Sequence, residues 1–249
     1  MSWSALDEEL ARCRDAGRAA DFWWRDDDAT ALTPALERLL ALSRRSDVPL
    51  ALAVIPLAAA PELFTGLKAT VLMHGTDHRN RAAAGEKKTE FAAAEPDERA
   101  LARLAEARAR LARLALAHFV PVLAPPWNRF TRSLVARLPA CGLHGLSAYG
   151  ARDAAQAVAG VTEVNTHIDV IDWRGTRGFV GEEAALRALL GHLAACRAGR
   201  ADSAEPAGVL THHAIHDEDT WDFLERLFER TRRRGAAWRD ARALFPALG

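Results

Sequence analysis

The stretch FWWRDDDAT, residues 22–30, sets three aspartates directly after an arginine and an aromatic run. Its first half, DFWWR (21–25), reads as a β-strand, because bulky aromatic side chains suit a pleated, buried surface. The second half is a problem. Adjacent carboxylates repel one another, so Asp26, Asp27 and Asp28 need either a solvated turn that caps a following helix or a bound cation. Taken alone, the turn is the ordinary explanation.

Outward from this stretch, short apolar runs alternate with amphipathic segments along the whole chain. The runs cover 21–25, 49–56, 69–74, 119–125, 142–149, 161–170 and 207–213. Most are continuously apolar, as strands of a parallel sheet buried on both faces should be. Between them lie helical patterns such as TPALERLLALSRRS, with a threonine cap and proline in its first turn, and PDERALARLAEARARLARLALAH. Strand–helix alternation predicts an α/β fold with right-handed crossovers, and seven such units suit a barrel better than a doubly wound sheet. Residues 79–95 show no period and read as a loop over one end. No repeat or composition break divides the chain, so residues 1–249 are expected to form one domain.

Composition narrows the function. The chain has 33 basic and 33 acidic side chains, which gives no general attraction to nucleic acid or anionic lipid. No run approaches the ~18 apolar residues of a membrane span. Residues 1–20 lack the apolar stretch of a secretory leader, and Cys13, Cys141 and Cys196 form no CxxC pair. A cytoplasmic protein with reduced thiols is expected, acting on a small-molecule or carbohydrate substrate and touching neither nucleic acid nor membrane. The oligomeric state is open.

In parallel α/β folds, chemistry gathers at the C-terminal ends of the strands. Polar residues crowd those ends here: Asp26–Asp28 after the first strand, His74 and His78 in HGTDH after the third, APPWNRF after the fourth, HIDVIDWRG in the sixth, and LTHH at the seventh. Each has a bland explanation as a cap, a turn or a packed histidine. Five together, all at one face, point to one site. One carboxylate and two imidazoles around a cation, with open positions left for water and substrate, is a catalytic arrangement. It also accounts for adjacent aspartates, since a dication holds neighbouring carboxylates ionised.

The order of these motifs resembles the polysaccharide deacetylases, the NodB-like group of carbohydrate esterase family 4. RDDDA resembles the family's aspartate pair, HGTDH its His-x-x-x-His motif, and APPWN its proline-rich third motif. DVIDW matches Asp-x-x-Asp-Trp without change, and LTH matches Leu-x-His. The resemblance implies a distorted (β/α)7 barrel and metal-dependent removal of an N-acetyl or O-acetyl group. It implies a divalent metal, zinc first with Co2+, Ni2+ or Mn2+ as substitutes, held by Asp27, His74 and His78. Asp26 would be the base for the attacking water. His212, oriented by Asp172, would be the acid that protonates the leaving group. Trp127, Asn128, Trp173 and Asp169 would meet the substrate, with Asn80 a further possibility and the backbone N–H near Trp127 as oxyanion donor. A register shifted by one, with Asp27 as base and Asp28 on the metal, stays open, as does His213 in place of His212. Two positions depart from the pattern. The arginine that opens the third motif is Ala124, leaving Arg25 or Arg129 to hold the base, and the residue after the first motif-two histidine is Gly75 rather than serine or threonine. Two other readings remain: a barrel that binds a metal or ligand without turnover, and an amidase acting on a non-sugar C–N bond.

Overall fold

In the computed structural model, which describes residues 1–246, the alternation resolves into nine strands on one sheet. They are β1 (Asp21–Ala29), β2 (Ala51–Val54), β3 (Thr70–His74), β4 (Phe119–Ala124), β5 (Gly145–Leu146), β6 (Thr162–Glu163), β7 (Ile168–Asp169), β8 (Ala207–Thr211) and β9 (Ala237–Trp238). Their order is β6-β5-β4-β3-β2-β1-β8-β7, with β9 added to β1 at its start, and every ladder is parallel. The helices are α1 (Trp3–Asp15), α2 (Pro34–Ser46), α3 (Asp97–Ala115), α4 (Arg132–Arg137), α5 (Glu182–Arg197), α6 (Glu218–Arg233) and the short α7 (Ala241–Leu244). The result is the distorted (β/α)7 barrel expected from the sequence, a curled sheet with helices packed outside it.

The distortion comes from the run 161–170. Instead of one strand it forms two short ones at opposite edges, β6 on β5 and β7 on β8. Between them Asn165 satisfies a backbone N–H that a continuous ladder would have paired, while Thr166 keeps its backbone bond to the Ala148 carbonyl at 3.0 Å and adds its hydroxyl to it. Asn165 accepts the Ala148 N–H at 2.8 Å, and the Thr166 hydroxyl donates to the Ala148 carbonyl at 3.1 Å. The indole of Trp23 donates to the Asn165 carbonyl at 2.9 Å.

Strand alternation sorts the aromatics of β1. Phe22 and Trp24 join the layer between sheet and helices, where Trp24 lies 4.7 Å from Phe228 of α6. Trp23 turns the other way and packs with the small residues Ala51, Ala53 and Ala124 inside the curl. Only glycine fits at 208, where a Cβ would stand 2.4 Å from the Trp23 indole nitrogen. The apolar stripe of α6, with Trp221, Leu224, Leu227 and Phe228, is buried against its own barrel. No helix among the described residues is long and apolar enough to cross a membrane, and the three cysteines are free thiols.

β1 also runs further than the aromatic run suggested, through all three aspartates to Ala29. Its register against β2 slips between Asp26 and Ala29, and Asp28 sits at φ 71°. Such a bulge breaks the alternation, so neighbouring side chains no longer face opposite sides of the sheet.

Helix α1 was not anticipated, although Trp3, Leu6 and Leu10 form an i, i+3, i+7 stripe. Its Glu9 is buried and bonded to Arg197 at 2.6 Å and to Arg12 at 3.1 Å. Burial pushes the Glu9 carboxyl up, but the two guanidiniums outweigh it and hold it below the usual range. A depressed folded-state pKa stabilises above the unfolded value, about 4.3, and that contribution is lost as pH falls through the folded value. Glu9→Gln is expected to cost about 1–3 kcal/mol at neutral pH in urea unfolding. The gap to wild type should narrow as pH falls past the unfolded value and close once it has passed the lower, folded one. A gap that persists in acid would contradict this origin.

Candidate active site

The three aspartates go to three different places. Asp26 faces the layer beneath α6 and is fully buried. It accepts the Thr211 hydroxyl at 2.7 Å, the His213 N–H at 2.9 Å and His213 Nδ1 at 2.5 Å. Burial disfavours the charge on both partners, yet each overcomes it: Asp26 is held below its usual pKa by His213, and His213 above its own by Asp26. Asp26 therefore serves the packing of β1 on β8 and does not face the imidazoles of β3.

Asp27 turns into the barrel, to the same side as Arg25. A two-residue step along a strand makes them neighbours. Arg25 Nε reaches Asp27 Oδ1 at 2.8 Å and Nη2 reaches Oδ2 at 3.0 Å, a two-pronged pair with both side chains buried. The guanidinium also donates to the Ser147 carbonyl and hydroxyl, both at 2.7 Å, and to Asn128 Oδ1 at 3.2 Å. Of the two arginines left open for the missing third-motif residue, Arg25 meets this aspartate. Arg129 instead bonds the Lys88 carbonyl at 2.7 Å, and Ala124 is packed against Trp23 and its neighbours.

Asp28 is the carboxylate that meets the two imidazoles. Its Oδ1 lies 3.1 Å from His74 Nε2 and 3.3 Å from His78 Nε2. Asp28, His74 and His78 are thus the three side chains whose ligand atoms converge and could hold an ion, whereas the register expected from the sequence sets Asp27 beside the histidines and Asp26 as base. The difference lies in the bulge: the left-handed Asp28 swings its side chain toward β3, and the strand before it keeps Asp26 and Asp27 on opposite faces.

The donor set suits a cation. His74 Nδ1 faces the Ala124 carbonyl at 3.0 Å and must carry a proton there, so in the neutral ring Nε2 presents a lone pair to Asp28. A lone pair and a carboxylate oxygen 3.1 Å apart repel unless a cation or a proton lies between them. Buried Asp28 Oδ1 indeed makes no hydrogen bond of acceptable geometry. Donors at about 2.0–2.1 Å from a shared ion stand roughly 3.0–3.4 Å apart, as these do. Where a proton rather than an ion lies between them, burial alone would still raise the Asp28 pKa, but His74, His212 and His78 outweigh it and hold the carboxyl far below its usual range. His78, in contrast, is pushed down by burial and by His74.

The remaining expected residues divide in two. Trp127 packs on His78 with ring centroids 4.4 Å apart, and Asn128 accepts from Arg25. Both have left-handed backbones, so the APPWN turn aims them at the site. His212 is half-buried, meets the edge of Trp173 at 4.7 Å, and leaves its Nδ1 without a partner. Its rival His213 is committed to Asp26. Asp172 does not reach His212: its carboxylate accepts the N–H groups of Arg174, Gly175 and Thr176 within its own turn. Asp169 lies on the site side, accepting from the Trp173 indole at 2.8 Å and from the Ile171 N–H at 3.0 Å. Burial pushes its pKa up, against the pull of His212. Asn80 caps its own loop through the N–H groups of Ala82 and Thr89. Ser147 had no role in the sequence reading, and nothing in GLSAY marks it; only the curl of the sheet brings it to Arg25.

A second trio, His167, His192 and Glu205, lies at the opposite end of β8. The Gly208 N–H donates to His167 Nδ1 at 3.0 Å, so His167 carries its proton on Nε2, 3.3 Å from Glu205 Oε2. That nitrogen has no lone pair for a metal. Glu205 also accepts the N–H groups of Arg152 and Asn165 and ties two loops to β8.

The fold is that of the polysaccharide deacetylases of carbohydrate esterase family 4. A peptidoglycan N-acetylglucosamine deacetylase superposes with a TM-score of 0.61 at 14% identity, over 92% of this chain and 89% of that one. The chitin deacetylase of Colletotrichum lindemuthianum gives 0.55 at 13% identity, over 92% and 88%. A family 4 acetyl xylan esterase from Clostridium thermocellum, solved with a cobalt ion, gives 0.52 at 12% identity, over 90% of each chain. No family model matches the chain, and no curated protein matches it by sequence. At such identities the likeness is one of fold.

Proposed function

We propose that the protein is a divalent-metal-dependent hydrolase that removes an acetyl group from the nitrogen or oxygen of a carbohydrate or a related small amide. The observation that carries this reading is the Asp28 oxygen set against two imidazole nitrogens at 3.1 and 3.3 Å, with His74 locked in the ligating tautomer by Ala124. Asp28, His74 and His78 would hold the ion, and two nitrogens with one oxygen suit zinc, with Co2+, Ni2+ or Mn2+ able to substitute. When bound, the ion supplies Lewis acidity toward the acyl carbonyl and a water acidic enough to react at neutral pH.

The chain's own residues do the rest. Asp27, held by the Arg25 fork, takes the proton of the attacking water. His212 returns a proton to the departing nitrogen or oxygen, with Asp169 and Trp173 around it. The backbone N–H of Trp127 is the proposed donor to the developing oxyanion, and the Trp127 and Trp173 rings wall the site against bulk water.

Wild type loaded with Zn2+ or Co2+ is expected to bind about one ion per chain and to release acetate from acetylated sugars or simple acetamides. Chelation should abolish release, and His212→Ala should lower kcat by about 10²–10⁴-fold while the ion stays bound. A metal-loaded protein without turnover on any such substrate would leave a binding barrel instead.

A further inference from the structure

The loop that presents His74 and His78 is organised by a residue outside every motif. Glu90 lies in the irregular segment between β3 and α3 and is fully buried. Its Oε1 accepts the Thr76 N–H at 2.8 Å, the Asp77 N–H at 3.4 Å and the Thr76 hydroxyl. Its Oε2 accepts the His78 N–H at 3.2 Å. Every one of these donors lies between the two histidines or on the second of them. The nearest cation, Arg81, stands 3.9 Å away and is itself paired with Asp77 at 2.8 Å.

Gly75 belongs to the same arrangement. A Cβ there would stand 2.1 Å from Glu90 Oε2 and 2.7 Å from Pro126, and Gly75 adopts φ 60°. The Glu90 carboxylate thus fills the space that a serine or threonine side chain would need. His78 has φ 56°, a left-handed conformation that costs on the order of 1–3 kcal/mol unless the surroundings impose it. A buried carboxylate that collects the N–H of His78 and of Thr76 imposes it.

On the reading of the site given above, we propose that Glu90 is a positioning residue for the metal. It fixes the turn from His74 to His78 so that both Nε2 atoms face Asp28, and it replaces the hydroxyl that Gly75 lacks. Removing it leaves buried N–H groups without an acceptor and frees His78 to leave the left-handed region.

The test uses Co2+ alone, by competition with a chromophoric chelator and by the visible absorption of the bound ion. Glu90→Ala is expected to weaken Co2+ binding about 10–100-fold and to alter the cobalt spectrum. Glu90→Gln, which keeps one oxygen and the shape, should lose less affinity than Glu90→Ala. A merely structural role would lower the melting temperature and leave the spectrum of the folded, cobalt-loaded protein unchanged. Should Glu90→Ala not fold, Glu90→Gln decides: wild-type affinity with an unchanged spectrum overturns the proposal. A wild type that binds no Co2+ overturns the reading of the metal site itself, a failure visible before any variant is made.

Discussion

Asp28→Asn is expected to abolish binding of the proposed divalent ion, whereas Asp27→Asn should still bind it and lose turnover by about 10²–10⁴-fold. The two side chains are adjacent in sequence, nearly identical in chemistry and committed to different partners. Asp28 sets Oδ1 against both imidazoles and makes no hydrogen bond through that atom. Its amide analogue has one neutral oxygen to offer and brings no charge against a dication. Asp27 stands 4.0 Å from His74 and is bound by the Arg25 fork. Its amide can occupy the same place but cannot take a proton. Cobalt affinity and acetate release measured on both variants separate the roles. Loss of metal in Asp27→Asn with retention in Asp28→Asn would restore the register read from the sequence. Asp26→Asn should disturb stability most, because it breaks the buried contact with His213.

Arg25→Met carries the second large effect. Its guanidinium is fully buried and supplies hydrogen bonds to Asp27, Ser147 and Asn128. Removing one partner of a buried ion pair leaves the other charge uncompensated, which costs about 3–5 kcal/mol. For a domain of this size that is a fall in Tm of roughly 6–20 °C. Arg25→Lys keeps the charge but not the fork, so it should recover part of the stability and little of kcat. Cobalt binding in the lysine variant should stay close to wild type, since Arg25 touches none of the three proposed ligands. An Arg25→Met protein as stable as wild type would show that the interior of the curl tolerates Asp27 unpaired, and the assignment of Arg25 as its holder would fall.

Much of this site was legible one residue at a time. The aromatic run before RDDDA marks β1, the i, i+4 spacing of His74 and His78 marks a pair able to share an ion, and LTHH marks the end of β8. Helix α1 was legible too, since its apolar stripe is ordinary, but small and charged residues mask it in a linear reading. What stayed hidden depended on backbone direction. The division of labour within Asp26–Asp28 follows from strand β1 continuing past Arg25 and bulging at Asp28, and the bulge is set by its register against β2. The choice of Asp169 over Asp172 beside His212 follows from a turn whose N–H groups claim Asp172 first.

The sequence alone thus specified the alternation of strands and helices, the end of the barrel where chemistry gathers, and two of the three residues proposed to hold the ion. These are properties of local pattern, which period and spacing record directly. Tertiary structure decided which aspartate meets the imidazoles, that Arg25 holds its neighbour in place of the absent third-motif arginine, and that Glu90 braces the loop between the histidines. Each of those depends on groups far apart in sequence meeting at one point, with directions set by register, a bulge and positive φ angles. Pattern along the chain carries no record of them.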